Sequence, residues 1–229
     1  MSSGPGPADA VSTTVGVRRA AVSIRRATVE DFDRVAALTV DAYRAASRLA
    51  VGHGYEKVLA DVPSRAAAAE VLVAGWPGAE DGGIVGTVTF VLPGTPYAEL
   101  CGPGEAEFRM LAVDPLAQGR GIGEALVRAC LDRARALSAR AVRLSTTPVL
   151  VAANRLYERL GFVRTPELDW SPAAGVDLLA FRFDLPRAGE VSAHEVEGDV
   201  ERGGPALVVG DVGVADDEPA GVQGEDRQR

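Results

Sequence analysis

The stretch Leu111-Ala-Val-Asp-Pro-Leu-Ala-Gln-Gly-Arg-Gly-Ile-Gly-Glu-Ala-Leu126 most limits what this chain can fold into. A β-type run ends at Val113, and Pro115 forbids further ladder pairing because it has no N–H. Gly119, Gly121 and Gly123 follow, and a helix then opens with an apolar stripe at Ile122, Leu126, Ala129 and Cys130. Strand, glycine loop and helix in this order leave free amides at a helix N-terminus with no Cβ in the way. Such a site suits a diphosphate, and Arg120 can add a charge-assisted contact. Two nucleotide loops fail here. The Walker sequence needs Gly-Lys-Ser/Thr, which is absent. The dinucleotide fingerprint needs Gly-x-Gly-x-x-Gly after the first strand, whereas these glycines alternate and lie in mid-chain.

The rest of the chain supplies an α/β context of the mixed (α+β) kind. A short alternating strand is expected over 21–26, then a helix capped by Thr28 with Asp31 in a capping-box position, carrying Phe32, Val35, Ala36 and Leu38. A helical stretch over 55–69 is interrupted near Pro63. Runs 71–74 and 84–92 read as a hairpin and 105–113 as a strand. Helix 121–137, strand 142–146 and helix 151–160 ended by Gly161 follow, with last strands over 162–169 and 177–185. A mixed sheet of about seven strands flanked by about four helices is the natural way to bury these faces.

Charge is uneven. From Ala188 to Arg229 there are 11 acidic residues and 3 Arg, which account for the whole net charge of −8. The remainder balances, so no nucleic-acid surface is expected. We read residues 1–20 as a disordered leader, 21–186 as the folded domain and 187–229 as an acidic disordered tail. Two Cys and two His argue against a disulfide scaffold and against a metal site. No apolar run reaches the ~20 residues of a membrane span, and the first residues lack the pattern of a secretory signal. No membrane partner and a cytoplasmic setting are therefore expected, with Cys101 and Cys130 as free thiols.

Gln118-Gly-Arg-Gly-Ile-Gly123, preceded by Leu111-Ala-Val-Asp-Pro115, resembles the acetyl-CoA signature of the GNAT superfamily of N-acetyltransferases. Asn154-Arg-Leu-Tyr-Glu-Arg-Leu-Gly-Phe162 resembles a second segment of that family, and Ile24–Phe32 its opening strand and helix. The resemblance covers about residues 21–185. It implies acetyl-CoA as co-substrate, held by strand backbone at Met110, Leu111, Ala112 and Val113 and by the amides of Gln118, Gly119, Arg120, Gly121, Ile122, Gly123 and Glu124. It further implies Asn154 on the pantetheine arm, Tyr157 as the acid that protonates the departing thiolate, and Glu107 at a position some members use for a catalytic base.

Elementary chemistry agrees with those roles. Attack of an amine on a thioester needs a donor for the oxyanion and a proton for the thiolate, and a neutral Tyr can give one. Tyr157 also reads as a core aromatic on the stripe with Leu156 and Leu160. Alternation puts Glu105, Glu107, Arg109, Leu111 and Val113 on one face, and Glu107 reads equally as a structural partner of Arg109. Tyr43, Arg48, His53, Tyr55 and Lys57, with Tyr97 and Trp170, are the acceptor-side candidates, His53 being read as part of an exposed turn. The expected function is acetyl transfer to a primary amine of a small molecule. A protein lysine or N-terminal acetyltransferase, and a non-catalytic acyl-CoA-binding module, stay open, as does a homodimer.

Overall fold

The computed structural model describes residues 22–46, 53–76, 83–173 and 175–186. The expected leader and acidic tail lie outside the described residues.

Eight strands and five α-helices are found among the described residues. They run β1 (Ser23–Arg26), α1 (Phe32–Ala46), α2 (His53–Ala60), α3 (Val62–Ala68), β2 (Glu70–Gly75), β3 (Ile84–Val91) and β4 (Glu105–Val113). Next come α4 (Ile122–Ala136), β5 (Ala141–Thr146), α5 (Val151–Arg159), β6 (Val163–Arg164), β7 (Trp170–Ala173) and β8 (Val176–Asp184). The sheet order is β1-β2-β3-β4-β5-β8-β6, with β7 paired to β8. Among the described residues, only β4 and β5 run parallel. No helix among the described residues is long and apolar enough to cross a membrane.

Period-two alternation along β2 separates two cores. Leu72 and Ala74 join Val88, Phe90, Phe108, Ile122, Leu126, Tyr157, Phe162 and Phe181 under α4 and α5. Val71 and Val73 face Val35, Val62 and Ile84 under α1 and α3. Helix α4 lies close on the sheet because Gly86 has no side chain: a Cβ there would stand 2.7 Å from Ile122 Cγ2. The Thr28–Asp31 cap forms as read. The Thr28 amide donates to Asp31 Oδ2 at 2.7 Å, across a short 3-10 turn that runs into α1.

One local expectation is sharpened and three need correction. The stretch over 55–69 does break near Pro63, into two helices that part at Asp61. Asp61 caps α3 by accepting the Ser64 amide at 3.1 Å, and Pro63 falls in the first turn, where its missing N–H costs nothing. His53 opens α2 rather than lying in a turn. Residues 162–169 are not one strand. Pro166 ends β6 after two residues and starts a 3-10 turn, leaving room for the unanticipated β7. The alternation along β4 also breaks. Thr87 pairs Ala112 while Thr89 pairs Arg109, so β4 carries an extra residue, and Met110 sits at φ +54°. Leu111 and Val113 therefore join the α4-side core with Phe108, on the face opposite to the one expected.

Candidate active site

The Met110 bulge lies where β4 and β5 separate. Parallel pairing covers only Glu105–Ala141, Ala106–Val142 and Glu107–Arg143. Beyond it β4 stays on β3 as far as Val113, and β5 stays on β8 as far as Thr146. Among the described residues, the β4 edge from Phe108 onward has no strand partner on that side. The result is a wedge between two parallel strands, closed at Glu105 and open toward Val113. Its vertex is locked by charge. Glu105 takes Arg143 at 2.6 Å, Arg182 at 2.7 Å and the Gly102 amide at 3.1 Å. Burial opposes ionisation of Glu105, but these donors outweigh it and hold the carboxyl down at about 2.

The glycine loop sits at the wedge's open end. Asp114 anchors its start, accepting the Leu116 amide at 3.0 Å and Arg34 Nη2 at 2.8 Å. Gly121, at φ +83°, is the N-cap of α4, and Gly119 lies at φ +75°. Both conformations are costly for residues with a Cβ. From Gln118 to Gly123 no backbone amide has an acceptor among the described residues, whereas Ala125 donates to Gly121 O at 2.9 Å. These free donors add to the positive end of the helix dipole. Ile122 points into the core. Arg120 stacks its guanidinium 5.8 Å from the Trp76 ring, and Glu124 pairs with Arg128.

Helix α5 faces the same opening. Asn154 Nδ2 donates to Thr147 O at 3.2 Å, but its Oδ1 is buried with no partner, as is Thr146 Oγ1. Tyr157 is buried among Phe108, Phe162 and Phe181, with centroids 5.9 to 6.1 Å away. Burial pushes its phenol above the ordinary value, so it stays protonated.

On the α1 side, Glu107 is fully buried. Its Oε2 accepts the amides of Glu99, Leu100 and Cys101 at 3.0, 2.8 and 3.1 Å, while Oε1 has no hydrogen bond. The expected Arg109 pairing is present as a long ion pair, Nε lying 3.9 Å from Glu107 Oε1, while Arg109 pairs more closely with Glu99 at 2.6 Å and donates to Tyr97 O at 2.9 Å. The Tyr43 and Tyr55 rings meet at 6.0 Å, tilted by 53°, and share a hydrogen bond; Lys57 is exposed. Trp170 opens β7 with its Nε1–H buried and unpaired. Arg48 and the side chain of His53 lie outside the described residues. Cys101 is pushed up to about 12, chiefly by burial and then by Glu107, and the buried Cys130 is also raised, so neither is a ready thiolate. No cluster fit to hold a metal occurs among the described residues.

Sequence reasoning missed Arg65. It stands in the bland run Ser-Arg-Ala-Ala-Ala, with nothing to set it apart from the other arginines. The structure buries it completely beside Met110.

Residues 55–162 match the acetyltransferase (GNAT) family. These residues form a domain of the GNAT acetyltransferase family. The family match runs from α2 through α5 and so contains the bulge, the glycine loop and Tyr157. Two curated relatives are N-acetylaspartate synthetases. The *Danio rerio* protein is 43% identical over 63 residues, which is 28% of this chain and 22% of that one. The *Rattus norvegicus* protein is 38% identical over 87 residues, 38% of this chain and 27% of that one. The chain thus spans about a quarter of these relatives' length. Among solved structures, a GNAT-family acetyltransferase from *Staphylococcus aureus* Mu50 aligns with TM-score 0.58 at 13% identity, over 72% of this chain and all of its own. A GCN5-related N-acetyltransferase from *Kribbella flavida* aligns with TM-score 0.53 at 24% identity, over 72% and 98%. Both similarities concern the fold.

Proposed function

We propose that this GNAT domain transfers an acetyl group from acetyl-CoA to the primary amine of a small molecule by direct attack, with no acyl-enzyme intermediate. The observation that carries the reading is the unpaired β4 edge from Phe108 to Val113, which ends at the free amides of Gln118 to Gly123. One ligand with an amide-bearing arm and a diphosphate suits both. The arm adds to the strand edge at Leu111, Ala112 and Val113, and the diphosphate meets the amides at the start of α4. The buried, unpartnered Asn154 Oδ1 is an acceptor for an amide N–H of the same arm.

In this reading, catalysis is mostly positioning. Tyr157, kept protonated by burial, gives its proton to the leaving thiolate. Glu107, held by three loop amides with Oε1 uncommitted, takes the proton from the attacking amine. Relatives named for the synthesis of N-acetylaspartate favour a small-molecule acceptor over a protein. The free thiols fit a reducing, cytoplasmic setting.

Titration calorimetry with acetyl-CoA, CoA and NAD tests the proposal. Micromolar binding of both CoA species and none of NAD is expected. Gly121→Glu, which puts a carboxylate where the diphosphate would lie, should abolish that binding while the protein still melts cooperatively. Unchanged affinity in the variant would overturn the reading.

A further inference from the structure

Arg65 sits in a neighbourhood that does not complete its hydrogen bonding. It projects from α3 beneath the sheet and is 0% exposed. One of its three nitrogens is used: Nη1 donates to Leu59 O at 3.1 Å and approaches Met110 Sδ at 3.0 Å. Nε and Nη2 are buried with no partner. Leaving guanidinium donors unpaired in a protein interior is costly, and it persists where something else completes the set.

The neighbours do not complete it. Tyr97, Tyr43, Tyr55 and Asp61 lie within electrostatic reach of Arg65. Burial keeps Tyr43 and Tyr55 in their neutral forms. Asp61 is exposed and caps α3. Of the β4-side carboxylates, Glu99 is committed to Arg109, Glu105 to Arg143 and Arg182, and Glu107 Oε2 to three amides, with Arg109 Nε 3.9 Å from its Oε1.

The unsatisfied atoms are complementary to one kind of ligand. Nε and Nη2 are the adjacent pair of guanidinium donors that engages a carboxylate side-on, with two parallel bonds. Glu107 Oε1, equally buried, makes no hydrogen bond, the Arg109 Nε standing 3.9 Å away, and so can accept one from an N–H. Glu107 and the Met110 that Arg65 touches are three residues apart on β4, a span of about 10 Å. That separation suits a small molecule carrying an amine at one end and a carboxylate at the other.

We propose that Arg65 is the carboxylate anchor of the acceptor pocket, and that the amine accepted there belongs to an amino acid or a close amino carboxylate. The inference rests on the acetyl-transfer reading, which it deepens by naming the acceptor class. Arg65 holds the carboxylate and so turns the amine toward Glu107 and the wedge. Acceptors whose carboxylate is capped as an amide leave the fork unpaired and are rejected.

The test compares common L-amino acids with their α-amides, in wild type, Arg65→Met and Arg65→Lys. Thiol release from acetyl-CoA and the melting temperature with acceptor alone are both read. In wild type at least one free acid should exceed its amide by about a hundredfold in kcat/KM, and the same acid should raise the melting temperature. In Arg65→Met the preference and the ligand-induced shift should vanish, while acetyl-CoA affinity holds. The unliganded variant should melt no lower than wild type, since Met fills the space without an unpaired charge. Arg65→Lys keeps the charge without the fork and should fall between them. Equal use of acids and amides by wild type overturns the proposal. So does a preference that survives Arg65→Met, or a panel with neither turnover nor a melting shift, as when a carboxylate of this chain itself fills the fork. Failure of the acetyl-transfer reading is separate: acetyl-CoA would then not bind, whereas a carboxylate-dependent melting shift would still report on Arg65.

Discussion

Arg109 closes a 2.6 Å ion pair with Glu99, while its Nε stays 3.9 Å from Glu107 Oε1, its neighbour two residues back on β4. The reason is the segment before β4, which folds back so that three successive amides reach Glu107 first. Glu107 thus has two separable duties, holding that segment with Oε2 and offering Oε1 to the site.

Glu107→Gln should separate them. The amide oxygen can still accept from the loop, so the melting temperature should change little, whereas kcat should fall about 100-fold or more. Glu107→Ala strands the loop donors and should also cost about 1–3 kcal/mol in denaturant unfolding. Equal destabilisation by both variants, with equal residual turnover, would make Glu107 structural.

Gly86→Ala tests whether packing of α4 sets the cofactor loop. The new Cβ would stand 2.7 Å from Ile122 Cγ2 and 3.0 Å from Leu126 Cδ1, both on the first turns of α4. Overpacking of this kind costs about 1–3 kcal/mol. Because the displaced helix carries the free amides, acetyl-CoA affinity should fall although no contact residue has changed. Calorimetry beside a urea melt would show whether the two losses travel together.

The sequence made the α4-side architecture readable because its signals are local. The Pro115 stop, the glycines that need positive φ and the stripe at Ile122, Leu126 and Cys130 each act within a few residues. Strand β4 was found with its observed bounds for the same reason. Its facing was not, since the bulge at Met110 is imposed by pairing with β3 and leaves no mark in the residue types. Arg65 and the Glu99–Arg109 pair were invisible on similar grounds. Their meaning comes from α3 and the 92–104 loop meeting β4, contacts between residues far apart in the chain. Pro166 was a readable stop that the alternation around it concealed.

Tyr157 is both a core ring and a proton donor in this reading, and the two can be told apart. Tyr157→Phe keeps the packing against Phe108, Phe162 and Phe181 and removes one oxygen. Acetyl-CoA affinity and melting should therefore hold, while kcat drops by about 100-fold or more. Tyr157→Ala should lose about 3–5 kcal/mol of stability through the cavity it leaves. A Phe variant that turns over normally would assign the thiolate's proton to another donor.

The wedge vertex should give the protein a defined acid limb of stability. Glu105 is held at about 2 by Arg143, the Gly102 amide and Arg182, against an ordinary value of 4.5. A carboxyl with a lowered folded-state pKa stabilises the fold fully above its unfolded value, and that stabilisation is lost as pH falls toward the folded value. The lost portion, up to about 3 kcal/mol, should disappear between roughly pH 4.5 and 2. Asp31, also at about 2 through Arg25, contributes in the same window, so the assignment needs a variant. Glu105→Gln should lower stability at pH 7 and flatten its share of the slope, whereas Asp31→Asn should leave that share in place. Because Glu105 joins β4 to β5 and β8, its loss should also loosen the closed end of the wedge. Amide exchange at Ala141 and Val142, beside the vertex, should lose protection in Glu105→Gln relative to wild type at the same pH 7.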